Sequence, residues 1–494
     1  MKKIGFDNDQ YLSLQTSRIL ERVEQFGGKL YLEFGGKLFD DYHASRVLPG
    51  FRPDSKMGML LKLREKAELV IAISTDDIEK NKRRGDLGIT YDLDVLRLID
   101  AFREYGLYVG SVVLTKFRSQ PAAITFQNRL EAQGVRVYRH YPIEDYPSNI
   151  PLIVSDEGFG KNEYIETTRP VVVITAPGPG SGKMATCLSQ LYHEHARGIQ
   201  AGYAKYETFP IWNLPLKHPV NRAYEAATID LDDVNMIDPF HLEAYGETTV
   251  NYNRDIEIFP VVEAMFRKIF GQCPYKSPTD MGVNMAGCAI VDDEVCREAS
   301  NQEVIRRYYE TATQVKRGLA DAGQLHKMEM LMRSMELEPE MRKAVPAARA
   351  VAEATGEPAM GIELPDGRII TGKTTELMGA SCAAMLNSLK ALAGIDDEVK
   401  LISRDVLAPI THLKVEHLGN RNPRLHTDEI LIALSMCAAT NPQAELAMEQ
   451  LSKLQGAEVH STVILSQVDE NVFKKLGAHV TYDPVYQSQR LYHK

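Results

Sequence analysis

Residues 171–196, VVVITAPGPGSGKMATCLSQLYHEHA, set three glycines and a lysine between a β-branched run and an amphipathic helical pattern. A phosphate loop needs this order, because its backbone N–H groups must point at an anion, a helix must present its positive end, and a lysine must reach the outer oxygens. Gly178, Gly180 and Gly182 would permit the turn, Lys183 would contact phosphate, and the Met184 amide would join the cradle. The match to GxxxxGK[ST] departs at Pro177, where the first glycine belongs, and at Met184, where a magnesium-binding hydroxyl belongs. Ser181 or Thr186, or carboxylates from elsewhere, would then hold the metal. The plainer alternative is a tight glycine turn that lets a helix pack closely on a sheet.

Other clusters offer complementary chemistry. Asp156 and Glu157 follow the apolar run PLIVS and resemble the acidic strand end that holds magnesium and polarises water. Lys205, Lys217, His218 and Arg222 lie in an aromatic, proline-bearing stretch and would bind anionic oxygens of a substrate. Asp230, Asp232 and Asp233 are spaced like oxygen ligands of a hard cation, although such a run also caps helices or is solvated. In THLKVEHLGNRNPRLHTDE, His412, His417 and His426 are candidate metal ligands, and Arg421 and Arg424 candidate anion binders. His412 and His417 are five apart, a spacing that suits neither an α-helical face nor a strand face. The loop YKSPTDMGVNMAG, 275–287, would close on a substrate.

These residues need a scaffold, and the first 200 positions supply one. Short β-branched runs at 30–34, 68–74, 106–115, 135–140, 151–156 and 171–176 alternate with amphipathic segments. That alternation predicts an α/β fold with a doubly wound, mostly parallel sheet, whose ligands bind beyond the carboxyl ends of the strands. After those ends come Gly35-Gly36-Lys37, Thr75-Asp76-Asp77 and Lys116-Phe117-Arg118. Residues 203–260 read as irregular, 261–356 as a helical middle region, and 357–494 as a second, three-layer α/β domain. Within the last, Pro-Asp-Gly marks a hairpin turn and the stretch near DVLAPITHLKV reads as a strand. The N-terminal α/β domain, 1–260, is the expected phosphate or nucleotide-binding domain.

Composition bounds the function. A chain of 494 residues with 44% apolar and 25% charged residues is of ordinary globular make-up, with room for about three domains. A net charge of −10 argues against non-specific nucleic-acid binding. The N-terminus lacks a secretory apolar run and no stretch is long enough to span a membrane, so a cytoplasmic location is expected. Six scattered cysteines form no zinc or disulfide pattern. GxSxG, HExxH and GxGxxG are missing, which demotes serine hydrolase, zinc peptidase and dinucleotide dehydrogenase readings.

Together, APGPGSGKMAT, NLPLKHPVNRAYEAATIDLDDVNMIDPFHLEAYG, SPTDMGVNMAG and HLGNRNPRLHTDE resemble a bacterial family known as domain of unknown function 1846, over essentially the whole chain. The resemblance implies an N-terminal α/β domain, a helical middle and a C-terminal α/β domain, and brings no catalytic residues. The residues themselves lead to an enzyme binding a phosphorylated ligand, foremost a nucleotide such as ATP, for phosphoryl transfer or hydrolysis assisted by Mg or Mn. Lys183, Asp156 and Glu157 would be its catalytic residues. The alternatives are an enzyme of a small phosphorylated metabolite without triphosphate hydrolysis, and a nucleotide-sensing or scaffold protein. A homo-oligomer is expected.

Overall fold

The computed structural model describes residues 3–36, 38–39, 41–84 and 88–487. The chain divides into two units, one comprising Ile4–Ser300 and the other beginning at Asn301.

The first unit is built on β1 (Leu30–Phe34), β2 (Ala67–Ser74), β3 (Tyr108–Thr115), β4 (Arg136–Arg139), β5 (Val171–Thr175), β6 (Gly202–Tyr206), the small hairpin β7 (Asn235–Ile237) and β8 (Val250–Tyr252), and β9 (Gly282–Val283). Seven of these form one sheet in the order β4-β3-β2-β5-β1-β6-β9, with every pair parallel. AELVIAIS and VVVIT are buried at every position because they occupy β2 and β5, covered on both faces, whereas the edge strand RVYR is only half buried. The chain leaves β1 toward β2 and leaves β6 toward β9, so the connections diverge between β1 and β6 and open a crevice at their carboxyl ends.

The expected strand at 151–156 is instead the helical turn Ile150–Ile153. Asn149 caps it by accepting from the Leu152 amide, and Pro151 suits a first helical turn, so local capping outweighs the apolar run. Residues 203–260 are also more ordered than expected. They hold β6, the β7–β8 hairpin and the helices Pro219–Ala227, Pro239–Tyr245 and Asn253–Phe270, and the first two of these helices each begin with a capping side chain and a proline.

The second unit carries the helices Ala322–Ser334 and Ala344–Thr355 and a mixed sheet of β10 (Ala359–Glu363), β11 (Ile369–Lys373), β12 (Glu458–Ser461) and β13 (His479–Tyr482). Its order is β11-β10-β12-β13, with only β12–β13 parallel. Gly361 abuts Ala344 and Ala348, while Gly372, which faces the other way, abuts Ala384. The sheet is therefore sandwiched between the helices Ala344–Thr355 and Ala380–Ala393. DVLAPITHLKV is not a strand but the helix Arg404–His412 running into a π-helical turn, Leu413–His417. Its buried Leu407 and Lys414 recur at helical spacing, which overrides the β-branched composition.

Candidate functional site

One rung of the first sheet changes character as it crosses the crevice. Val70, Ile174, Glu33, Lys205 and Gly282 are in register on β2, β5, β1, β6 and β9. The rung is apolar on β2 and β5 and ionisable on β1 and β6. Alternation places Glu33 and Lys205 on the same face as Tyr31 and Tyr203, which lie in the core with Cys187 and Leu188 of the helix Lys183–Ala196 and with Phe259 of Asn253–Phe270. Both helices start at the carboxyl edge, so their N-termini flank the crevice.

Lys205 Nζ lies 2.8 Å from Glu207 Oε1 and also bonds the Asp255 carboxylate. Tyr203 donates its hydroxyl proton to Glu33 Oε2 at 2.7 Å. Burial works against the Lys205 ammonium, but Asp255, Glu207 and Glu33 outweigh it and hold its pKa above the ordinary lysine value. Burial pushes the Glu207 carboxyl up to about 7; the Asp255 charge adds to this and Lys205 opposes it. A carboxyl that titrates near neutrality beside a permanent cation can exchange protons at working pH.

The glycine loop borders the same edge. Gly180 and Gly182 adopt φ of 75° and 85°, in the left-handed region that favours glycine. Gly182 is the N-cap of Lys183–Ala196 and brings no capping side chain to the first-turn N–H groups. Gly178 leaves no room for a side chain beside the Tyr91 hydroxyl. Ser181 and Thr186, the alternative metal hydroxyls, donate instead to the carbonyls of Gly178 at 2.8 Å and Gly182 at 2.9 Å. Thr115, at the end of β3, ties the loop down by donating to the Ser181 carbonyl at 2.8 Å. Met184 packs against the core. Lys183 shares a helical face with Cys187, whose thiol is pushed up by burial and feels both Glu33 and Lys183.

The remaining expectations scatter. Asp156 and Glu157 do not end a strand. Asp156 accepts from Tyr192 at 2.7 Å, nine residues and roughly 13 Å along the helix from Lys183, and Glu157 pairs with Lys161 at 3.4 Å in solvent. Lys217 is exposed on a turn, His218 caps Pro219–Ala227 with its Nε2 2.9 Å from Asp293, and Arg222 pairs with Glu225 at 2.5 Å. Burial lowers the His218 pKa. Asp230 and Asp232 are exposed, whereas Asp233 is buried, held by Arg254 at 2.7 Å, and close enough to Lys205 and Asp255 to feel their charge. Lys37 lies outside the described residues.

His412, His417, His426, Arg421 and Arg424 belong to the second unit. The π-turn brings the His412 and His417 rings to 5.4 Å, correcting the expectation that five residues would separate them. His426 is spent elsewhere, 3.0 Å from Asp469 and in a capping box with Glu429. Arg424 donates to the Thr375 carbonyl at 3.0 Å and Arg421 is exposed. Among the described residues no group of three or more His, Cys, Asp or Glu side chains is placed to hold a metal ion. Among them, too, no helix is long and apolar enough to cross a membrane.

Glu207 and Asp255 were missed because 203–260 was read as irregular, and Glu33 because it lies inside β1, where attention fell on the residues after the strand end. The alternation of Tyr203, Lys205 and Glu207 with buried neighbours was the signal available in GYAKYE.

Fold and crevice define an α/β protein with a seven-stranded parallel sheet and an ionisable carboxyl edge. The chain belongs to the family whose models are described as domain of unknown function DUF1846, N-terminal, matching residues 4–336, and DUF1846, C-terminal, matching 340–492. The resemblance noted from its motifs is thereby borne out. It is similar to a UPF0371 protein of Streptococcus thermophilus (strain CNRZ 1066), 59% identical over 494 residues and the full length of both chains. A UPF0371 protein of Streptococcus pneumoniae (strain Hungary19A-6) is 58% identical over the same full span.

Proposed function

We propose that the first unit is an enzyme acting on a phosphorylated small molecule at the carboxyl edge of its sheet. The phosphate sits on the amides from Gly180 to Met184 and on Lys183, and Glu207 moves the proton. One observation carries the reading: a helix N-terminus opened by glycines of positive φ, whose N-cap Gly182 brings no capping side chain, follows β5 at the same carboxyl edge as the rung that holds Glu33 and Lys205. The helix end and Lys183 neutralise the phosphate. Lys205, fixed between Glu207 and Asp255, stabilises negative charge that develops on the reacting group, and Glu207 gives or takes a proton near neutral pH. Where the ligand is a nucleotide, a divalent cation would be held chiefly by its phosphates.

The test is a thermal-shift panel on wild type and Lys183→Ala, using inorganic phosphate, sugar phosphates and ATP with and without Mg or Mn. A ligand at 100 times its Kd adds about 2.7 kcal/mol of stability. Stabilisation of wild type alone supports the site. Sugar phosphates acting without metal point to a metabolite enzyme, and metal-dependent ATP binding to phosphoryl transfer. Identical shifts in both proteins, or none in either, overturn the assignment.

A further inference from the structure

A second cavity, of about 350 Å³, lies along the outer edge of β9 and brings together three stretches of the sequence. Arg18 and Arg22 line it from the helix Asn8–Gln25, Trp212, His241 and Tyr245 from the segment after β6, and Asn284 from the loop after β9. It stands three strand spacings, roughly 14 Å, from β5 and its glycine loop. The volume suits a small molecule.

Its polar groups are unevenly satisfied. Asp280 is occupied, accepting from the Tyr245 hydroxyl at 2.8 Å and the Lys276 amide at 2.9 Å. Trp212 donates to the Asn284 carbonyl at 2.7 Å, which fixes its indole in the wall. His241 lies 2.8 Å from the Ser277 hydroxyl, its ring 4.6 Å from that of Tyr245. Arg22 is 8% exposed; its guanidinium donates to Gln25 Oε1 at 3.1 Å and to the Asp280 carbonyl at 2.5 Å, while its buried Nε has no hydrogen-bond partner among the described residues. Burial lowers the Arg22 pKa and Arg18, one helical turn away, adds to the effect, while Tyr275, Asp280 and Tyr245 oppose it. Arg18 pairs with Glu21 at 2.8 Å, and Asp280 and Glu247 also line the cavity, so the donors the two guanidinium groups do not use offer charge-assisted contacts to an anion that enters it.

We infer that this cavity binds a small molecule that carries an oxyanion, carboxylate or phosphate, on a flat apolar body. Arg18 and Arg22 take the oxyanion, and Trp212, His241 and Tyr245 take the body. The cavity also adjoins the proposed active site, because a side chain on Gly282 would come within 2.9 Å of Glu207 Oε2.

Trp212 is the sole tryptophan of the chain, so its emission reports directly on the cavity. Full-length protein is titrated with benzoate and with phenyl phosphate, which separate the carboxylate from the phosphate source. The expected result is saturable quenching by at least one probe, kept in Lys183→Ala and weakened about tenfold or more in Arg18→Gln and Arg22→Gln, since each removes a charge-assisted contact. The Arg18 side chain is 46% exposed, so Arg18→Gln remains informative if Arg22→Gln fails to fold. Absence of saturable quenching by both probes, unchanged affinity in the arginine variants, or loss of the response in Lys183→Ala overturns the inference.

Discussion

Glu33 and Lys205 are register partners on adjacent parallel strands, yet Lys205 closes on Glu207 and Asp255 while Glu33 receives the Tyr203 hydroxyl. One largely buried cation therefore balances two carboxylates at the mouth of the crevice. Lys205→Met leaves both facing each other in a low-dielectric site, and breaking such a pair costs about 3–5 kcal/mol. The urea midpoint of the first unit, followed through Trp212 emission, should fall sharply, and Lys205→Met with Glu207→Gln should recover part of the loss. Equal midpoints for the single and double variants would show that the carboxylates are not in conflict.

Glu207 fixes a direction for pH dependence. Its folded pKa, about 7, exceeds the ordinary 4.5, so between these values the folded state keeps a proton that the unfolded state has lost. Stability from this group is therefore full below about 4.5 and is lost as pH rises through 7. Glu207→Gln, which cannot ionise, should flatten the fall of the first unit's urea midpoint between pH 5 and 8. Parallel pH profiles for the two proteins would mean that Glu207 titrates normally.

How much of this was legible depended on where the deciding contacts lay. β2 and β5 read directly, because burial on both faces turns a strand into an unbroken apolar run. PLIV reads the same way but is a helical turn, decided by Asn149 and Pro151 rather than by hydrophobicity. The glycine loop was visible because its geometry is written in glycines. The charged rung was not, because Lys205 meets Asp255 fifty positions on, through a helix whose placement only the tertiary fold determines. His412 and His417 stood as candidate ligands although their spacing suited no single α-helical or strand face, and one π-turn brings their rings together all the same.

Gly180 and Gly182 separate two costs that glycine can avoid. Both have positive φ, so alanine at either position costs about 1–2 kcal/mol in the left-handed region. At Gly180 a new Cβ meets open space, but at Gly182 it comes within 3.3 Å of Thr115, whose hydroxyl ties down the loop. Gly180→Ala should lower the melting temperature slightly and keep phosphate-ligand binding. Gly182→Ala should lower it further and weaken that binding, because displacement of Thr115 moves the helix N-terminus. Equal binding by the two variants would detach the loop's geometry from ligand recognition.

In the second unit, His426 and Asp469 lie 3.0 Å apart, and Asp469 also accepts from the Thr427 amide at 2.9 Å and the Ser466 hydroxyl at 2.7 Å. The hydrogen bond to Asp469 raises the His426 pKa above 6.5. Burial works against the Asp469 carboxylate, but His426 and its other donors prevail and hold its pKa below 3.8. The histidine's contribution is full below 6.5 and is lost as pH rises through its folded value. The aspartate's is full above 3.8 and is lost as pH falls through its folded value. The pair therefore stabilises most between roughly pH 4 and 6.5. His426→Gln should cost most stability inside that window and progressively less as pH rises past the raised pKa of the wild-type imidazole. Asp469→Asn should cost stability throughout, because it also weakens the acceptor for Thr427. Thermal melts of the full chain from pH 4 to 9 check both. A loss in His426→Gln that is constant with pH would assign the histidine to helix capping alone.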